Sequence, residues 1–238
     1  MGRYWRLLDV LELRKESDIM GNRAVITTSI VDPANSTNLG VYLHWNGGRD
    51  SVEAFLKYCK LKGYCPPETD CYGWARLCQV IGNFFGGGTS IGIDACCNLD
   101  CDNGDNGTYV IKNWEIVGRY YFKGHFEQRN HDLTEMLIAI DRSQPASEQF
   151  GEDFFRATEM RIEDVKLGDI VYLFNEIKCS YEKLEVIGFG EQEYVNGVPT
   201  LNRPYEKRYG DEERGYAWNC NNYIRTDIVK VIRETVQD

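Results

Sequence analysis

Apolar positions recur along the chain in two rhythms, short alternating or continuous runs in some segments and a spacing of three to four residues in others, which predict interleaved strands and helices. Ala24-Val25-Ile26-Thr27-Thr28 reads as the first strand and Leu39 to Trp45 as the second. Asn46-Gly47-Gly48 follows as a turn that needs positive φ angles, after which Asp50 or Ser51 is placed to cap a helix through Val52, Phe55, Leu56 and Tyr58, ending near Gly63. Apolar residues at Trp74, Leu77, Cys78 and Ile81 predict a second helix that stops at Gly86-Gly87-Gly88. Strands are expected at 90–93, 109–111 and 114–122, the last beginning at Trp114. Leu133, Met136, Leu137 and Ile140 then mark another short helix.

From Ile162 the pattern changes to short β runs at 170–174, 184–187, both sides of an Asn196-Gly197 hairpin signal, and 223–232. The expected fold class is α+β: a mixed sheet with two or three helices, followed by a small SH3-like β-barrel or β-rich unit. The corresponding domains are 20–150 and 160–238. Residues 1–19 read either as a leader ahead of a second start at Met20 or as an extra N-terminal helix, since Trp5, Leu7, Leu8 and Leu11 recur at helical spacing.

Composition narrows the function classes. The chain has 238 residues with 42% hydrophobic content, which excludes a disordered polymer. Its 27 Lys plus Arg against 37 Asp plus Glu give a net charge of −10, a field that opposes non-specific nucleic-acid binding and anionic membranes. No apolar run approaches the roughly 18 residues of a membrane span, and the charged opening segment lacks a secretory pattern, so a cytoplasmic protein is expected. Nine cysteines, an odd number, read in that compartment as thiols.

The richest segment for chemistry is 41–51. Two glycines join a strand to a helix whose N-terminal amides can face an anion; His44, Trp45, Asn46, Gly47, Gly48 and Arg49 then offer hydrogen bonds, a stacking ring, close backbone approach and a charged fork. The same residues equally describe a plain strand-to-helix turn with Trp45 in the core and His44 on the opposite strand face. The spacing matches neither the dinucleotide fingerprint nor a P-loop. A second glycine turn at Gly86-Gly87-Gly88 follows a helix C-terminus, a poorer anion site; if it converges on the first, Gly87, Arg76 and Trp74 join Arg49 and Trp45 in one rim.

Segment 94–107 combines Cys96, Cys97 and Cys101 with four aspartates. Its spacing fits neither an EF-hand nor paired C-x-x-C ligands, which favours an acidic loop with Asx turns over a metal site. His44, His125 and His131 with the cysteines leave a Cys–His nucleophile open without singling out a pair. The mixed-charge aromatic stretch 202–218 is a candidate protein contact.

Three stretches, Met20-Gly21-Asn22-Arg23-Ala24-Val25-Ile26, Gly40-Val41-Tyr42-Leu43-His44-Trp45-Asn46-Gly47-Gly48 and Asn83-Phe84-Phe85-Gly86-Gly87-Gly88, resemble uncharacterised proteins of phages, prophages and their bacterial hosts over residues 20–122. The resemblance implies a small cytosolic factor acting on host machinery, including inhibitors of bacterial immunity, and transfers no catalytic residue. The leading expectation is therefore a binding protein, without cofactor or metal, that captures a host protein or sequesters a nucleotide-like small molecule. A homo-oligomer stays open. The rival class is a hydrolase-like enzyme acting on a nucleotide or protein through His44 or a Cys–His pair.

Overall fold

A computed structural model describes residues 22–86, 90–124, 127, 129–161, 164–175, 180–192, 195–201 and 228–233. The fold class is α+β. The chain divides into two compact units, Met1–Gln149 and Phe150–Asp238.

The first unit is built on a mixed five-stranded sheet in the order β3-β2-β1-β4-β5, from β1 (Ala24–Thr27), β2 (Leu39–Leu43), β3 (Ile91–Ala95), β4 (Thr108–Lys112) and β5 (Glu115–Tyr120). Only β1 and β4 run parallel, with Ile26 beside Tyr109; the other neighbours are antiparallel. Because side chains alternate along a strand, Ala24, Ile26, Val41, Leu43, Tyr109 and Ile111 share one buried face. Three helices belong to that side: α1 (Arg49–Leu61), α2 (Cys71–Phe84) and α3 (Leu133–Ser143).

Each helix turns a periodic apolar face inward. α1 buries Val52, Phe55, Leu56 and Tyr58, α2 buries Leu77, Val80, Ile81 and Phe84, and α3 buries Met136, Leu137 and Ile140. Each of these larger side chains contributes about 1.5–3 kcal/mol by leaving water. Phe55 meets Phe84 edge-on at 5.3 Å, and the Tyr58 hydroxyl donates to Asp141 Oδ1 at 2.8 Å, which ties α1 to both neighbours. Asp70 and Asp132 cap α2 and α3 through their carboxylates.

The opposite face of the sheet is covered by the cysteine-rich segment. Cys96 and Cys101 are buried against Val25, with Tyr42, Leu99 and Tyr121 packed around them. The Cys96 thiol donates to Thr27 Oγ1 at 3.1 Å and the Cys101 thiol to the Cys96 carbonyl at 3.3 Å. Asn103 accepts from the Asp105 and Gly107 amides at 3.1 and 3.0 Å, which folds this acidic loop by Asx turns.

Trp114, expected to begin a strand, instead forms the β4–β5 turn. Asn113 and Trp114 both have positive φ, 51° and 61°, the pattern of a two-residue type I′ hairpin. An indole in that backbone region is held by burial and by its N–H, which donates to the Tyr64 carbonyl at 2.7 Å.

The second unit opens with a short helix, α4 (Glu152–Arg156), followed by β6 (Thr158–Arg161), β7 (Ile170–Asn175), β8 (Ser180–Gln192), β9 (Val195–Leu201) and β10 (Ile228–Ile232). The strands pair antiparallel in the order β6-β10-β7-β8-β9. This is a β-rich unit, but the described strands leave β6 and β9 as edges and do not close the expected SH3-like barrel. Val165, Val171, Leu173, Leu184, Val186 and Val231 form its aliphatic core. On alternate positions Tyr172 and Tyr181 meet Phe154 of α4 at 5.2 and 4.8 Å. The hairpin signal is also displaced: Asn196 and Gly197 lie within β9, Asn196 opposite Glu191, and the reversal falls between Gln192 and Val195. The slip coincides with a register shift at Gly190/Glu191.

Candidate functional site

The turn from β2 into α1 divides its labour among three residues. Asn46 takes the left-handed conformation, φ 54°, that the sequence required of the turn. Gly47 serves close approach: its N–H donates to the Asn22 carbonyl at 2.7 Å, and a Cβ there would stand 2.6 Å from that oxygen and 2.7 Å from the Ala24 nitrogen. Gly48 is the N-cap of α1, in place of the expected Asp50 or Ser51. Asp50 has a different task. Its Oδ1 accepts from the Ser51 amide at 2.8 Å and its Oδ2 from the Asn130 and His131 amides at 2.5 and 2.8 Å, so a buried internal carboxylate binds a distant backbone segment to the first turn.

Arg49 starts the helix and lies between two carboxylates. Its Nε donates to Glu53 at 2.7 Å, an i,i+4 pair, and its Nη1 donates to Glu127 Oε1 at 3.2 Å. Arg129 donates twice to Glu53, at 2.9 and 3.3 Å. The other Glu127 oxygen accepts from Arg119, which also donates to the Asn106 carbonyl at 2.8 Å and lies over the rings of Tyr109 and Phe122 at 4.4 and 3.7 Å. Three guanidiniums thus share two carboxylates, and Arg49, Glu53 and Glu127 each keep about a third of their side-chain surface exposed (31%, 34% and 31%). Burial works against ionisation of Glu53 and Glu127; the arginines outweigh it, Arg49 and Arg129 on the first and Arg119 and Arg49 on the second, and hold both carboxyls below the usual range.

The other expected site residues scatter around this cluster. His44 is exposed and Trp45 half-buried, and their rings meet edge-on at 4.8 Å. Asn46, Gly47 and Gly48 are buried beneath the start of the helix. On α2, Trp74 is half-buried, while exposed Arg76 donates to Gln79 at 2.9 Å and lies 5.1 Å over the Tyr64 ring, sharing no contact with Arg49. Gly87 and Gly88, with which the sequence closed a common rim, lie outside the described residues, as do segments 1–19 and 202–218, His125, Cys179 and Cys220.

Four of the cysteines are withdrawn from nucleophilic chemistry by the fold. Burial pushes the Cys78 thiol up to about 11 and raises those of Cys59, Cys96 and Cys101, keeping them protonated and weakly nucleophilic at neutral pH. Among the described residues no group of three or more His, Cys, Asp and Glu side chains is arranged to hold a metal ion. No described helix is long and apolar enough to cross a membrane.

Glu53, Glu127, Arg119 and Arg129 are the cluster members that sequence reasoning did not assign to the site. The Arg49–Glu53 spacing was a readable signal, and so was Arg119, a lone cation within the aromatic run Trp114 to Phe122. Glu127 and Arg129 arrive from far along the chain and left no local trace.

No family model matches the chain, and neither the curated proteins nor the solved structures contain a significant relative.

Proposed function

We propose that this protein is a non-catalytic binding protein that sequesters an anionic, ring-bearing small molecule of the nucleotide type, in the setting of a phage-type accessory factor that blunts host bacterial immunity. The observation that carries this reading is the gathering of Arg49, Arg119 and Arg129 at the start of α1, with their shared carboxylates only partly buried, in a chain whose net charge is −10. Such a local exception to an acidic surface is what an anionic ligand needs, and guanidinium forks suit phosphate. Half-exposed Trp45 supplies a ring for stacking on the same strand-to-helix turn. The raised thiols of Cys59, Cys78, Cys96 and Cys101 weigh against any of those four as a nucleophile.

The test uses adenosine monophosphate as the probe. Binding without turnover raises the melting temperature, and mass spectrometry recovers the nucleotide intact. Recovery of an altered nucleotide, abolished by His44→Ala, would instead establish the hydrolase-like class.

A second reading, capture of a host protein, has its own support. Ile30 and Val31 are 84% and 59% exposed on a loop held by bonds from Tyr120 to the Ile30 carbonyl at 3.0 Å and from Ser29 to the Val31 carbonyl at 3.1 Å. A rigidly presented apolar pair suits insertion into a partner. Under this reading Ile30→Asp breaks a stable complex and leaves nucleotide binding intact.

A further inference from the structure

The hydroxyls of Tyr109 and Ser51 are wholly buried, and neither has a hydrogen-bond partner. Tyr109 lies in β4 directly opposite Arg119 of β5, whose guanidinium covers its ring, and Ser51 belongs to the first turn of α1. The Tyr109 ring therefore packs directly against one of the two guanidiniums that hold Glu127. Orphaned buried hydroxyls are rare and unfavourable. Here one of them sits on a ring packed under an arginine that holds Glu127, and the other on the helix turn that carries the second such arginine.

Glu127 spends both of its oxygens on those arginines, Oε1 on Arg49 and Oε2 on Arg119. It leaves no oxygen directed to a hydroxyl. A phosphoryl group brings three acceptor oxygens in a tetrahedral spread, so it can satisfy both guanidiniums and still accept from a hydroxyl. We propose, building on the binding reading above, that Glu127 is an internal competitor: its carboxylate occupies the place of a ligand phosphoryl group between Arg49 and Arg119, and ligand binding displaces it and gives the Tyr109 hydroxyl an acceptor. A tethered competitor acts at an effective concentration of about millimolar, and removing it strengthens ligand binding without adding any contact.

Calorimetric titration of inorganic phosphate into the full chain tests this. Glu127→Ala should bind phosphate about tenfold or more tightly than the wild type, with Glu127→Gln in between. Glu115→Gln, which removes an exposed carboxylate of β5 paired with Lys60, controls for bulk charge and should change affinity less than about twofold. Tyr109→Phe should weaken phosphate binding while leaving the melting temperature of the free protein unchanged or higher, a combination that a purely structural tyrosine would not give. Phosphate binding that is equal in the wild type, Glu127→Ala and Glu127→Gln overturns the competitor and leaves the binding reading standing; absence of binding to every variant up to about 10 mM phosphate overturns both.

Discussion

The two units each hold an arginine–carboxylate cluster, and the clusters differ in how completely their charges are used. In the second unit Arg233 forks onto Asp169, Nε to Oδ1 at 2.8 Å and Nη2 to Oδ2 at 2.7 Å, while the Lys166 amide donates to the same carboxylate at 2.7 Å. Asp169 is 3% exposed. Every oxygen faces a fixed donor from its own fold, the geometry of a fastening that pins the β7 approach to the end of β10. In the first unit three guanidiniums divide two carboxylates whose side chains stay about a third exposed, and the buried hydroxyls of Ser51 and Tyr109 go unanswered. The proposed binding function rests on this difference: the open cluster leaves cationic capacity and orphan donors where the closed one leaves none at Asp169.

The largest expected effect breaks the scaffold under the open cluster. Gly47→Ala drives a Cβ into the Asn22 and Ala24 backbone and should cost about 3 kcal/mol in urea unfolding. A loss below about 1 kcal/mol would show that the turn can yield, and with it the placement of Arg49.

Next comes the closed cluster. Asp169→Ala removes the acceptor for the Lys166 amide and should cost about 2 kcal/mol, with faster hydrogen exchange in β7 and β8 and none in β1 and β2. Protection lost equally in both sheets would contradict the separation into two units.

Smaller still is the stability change for Glu127→Ala, under about 1 kcal/mol at physiological salt and less at high salt, because half-exposed pairs are weak and screened. Acid should act on both clusters in one direction. The folded pKa values of Asp169, Glu53 and Glu127 are all lowered, so the unfolded chain binds protons first. The stability these groups supply is complete above the ordinary carboxylate values of about 3.9–4.3 and drains away as pH falls through the lowered folded values. Thermal melts from pH 7 to 3 check this; a melting temperature that rises on acidification over that range contradicts it.

Much of the fold could be read from the sequence because its elements are long or strongly patterned. The first two strands, the two helices after them and the 131–140 helix all rest on apolar residues at fixed spacing. The misses have local physical causes. Glu152–Arg156 is a single helical turn anchored by Phe154 and Phe155, too short to show a period, and Thr158–Arg161 carries no alternating apolar face because only Met160 packs inward. Trp114 looked like strand because aromatic residues favour strands, whereas burial fixed it in a turn. The Asn-Gly pair at 196–197 marked a hairpin but missed its reversal, since register in β8 and β9 is reset by a bulge that no short motif encodes.

For the candidate site, the turn and Arg49 were legible, since glycines and a charged residue at a strand-to-helix junction are local features. Its chemistry was not. Glu127 meets Arg49 across 78 residues of chain, and Arg119 and Tyr109 join the cluster only through Glu127 and the β4–β5 pairing. The cysteine-rich segment shows the converse: residues that looked like chemistry in the sequence, Cys96 and Cys101, are the packing that closes one face of the sheet.

The comparison of the two clusters is tested most directly by how Arg49→Gln divides its effect between stability and ligand affinity. For a binding cluster, calorimetry should show adenosine monophosphate affinity falling about tenfold or more, while the melting temperature of the free protein stays within about 2 °C of the wild type. A melting temperature that drops as far as that of Asp169→Ala, with nucleotide affinity unchanged, would make Arg49 a fastening like Arg233 and contradict the account.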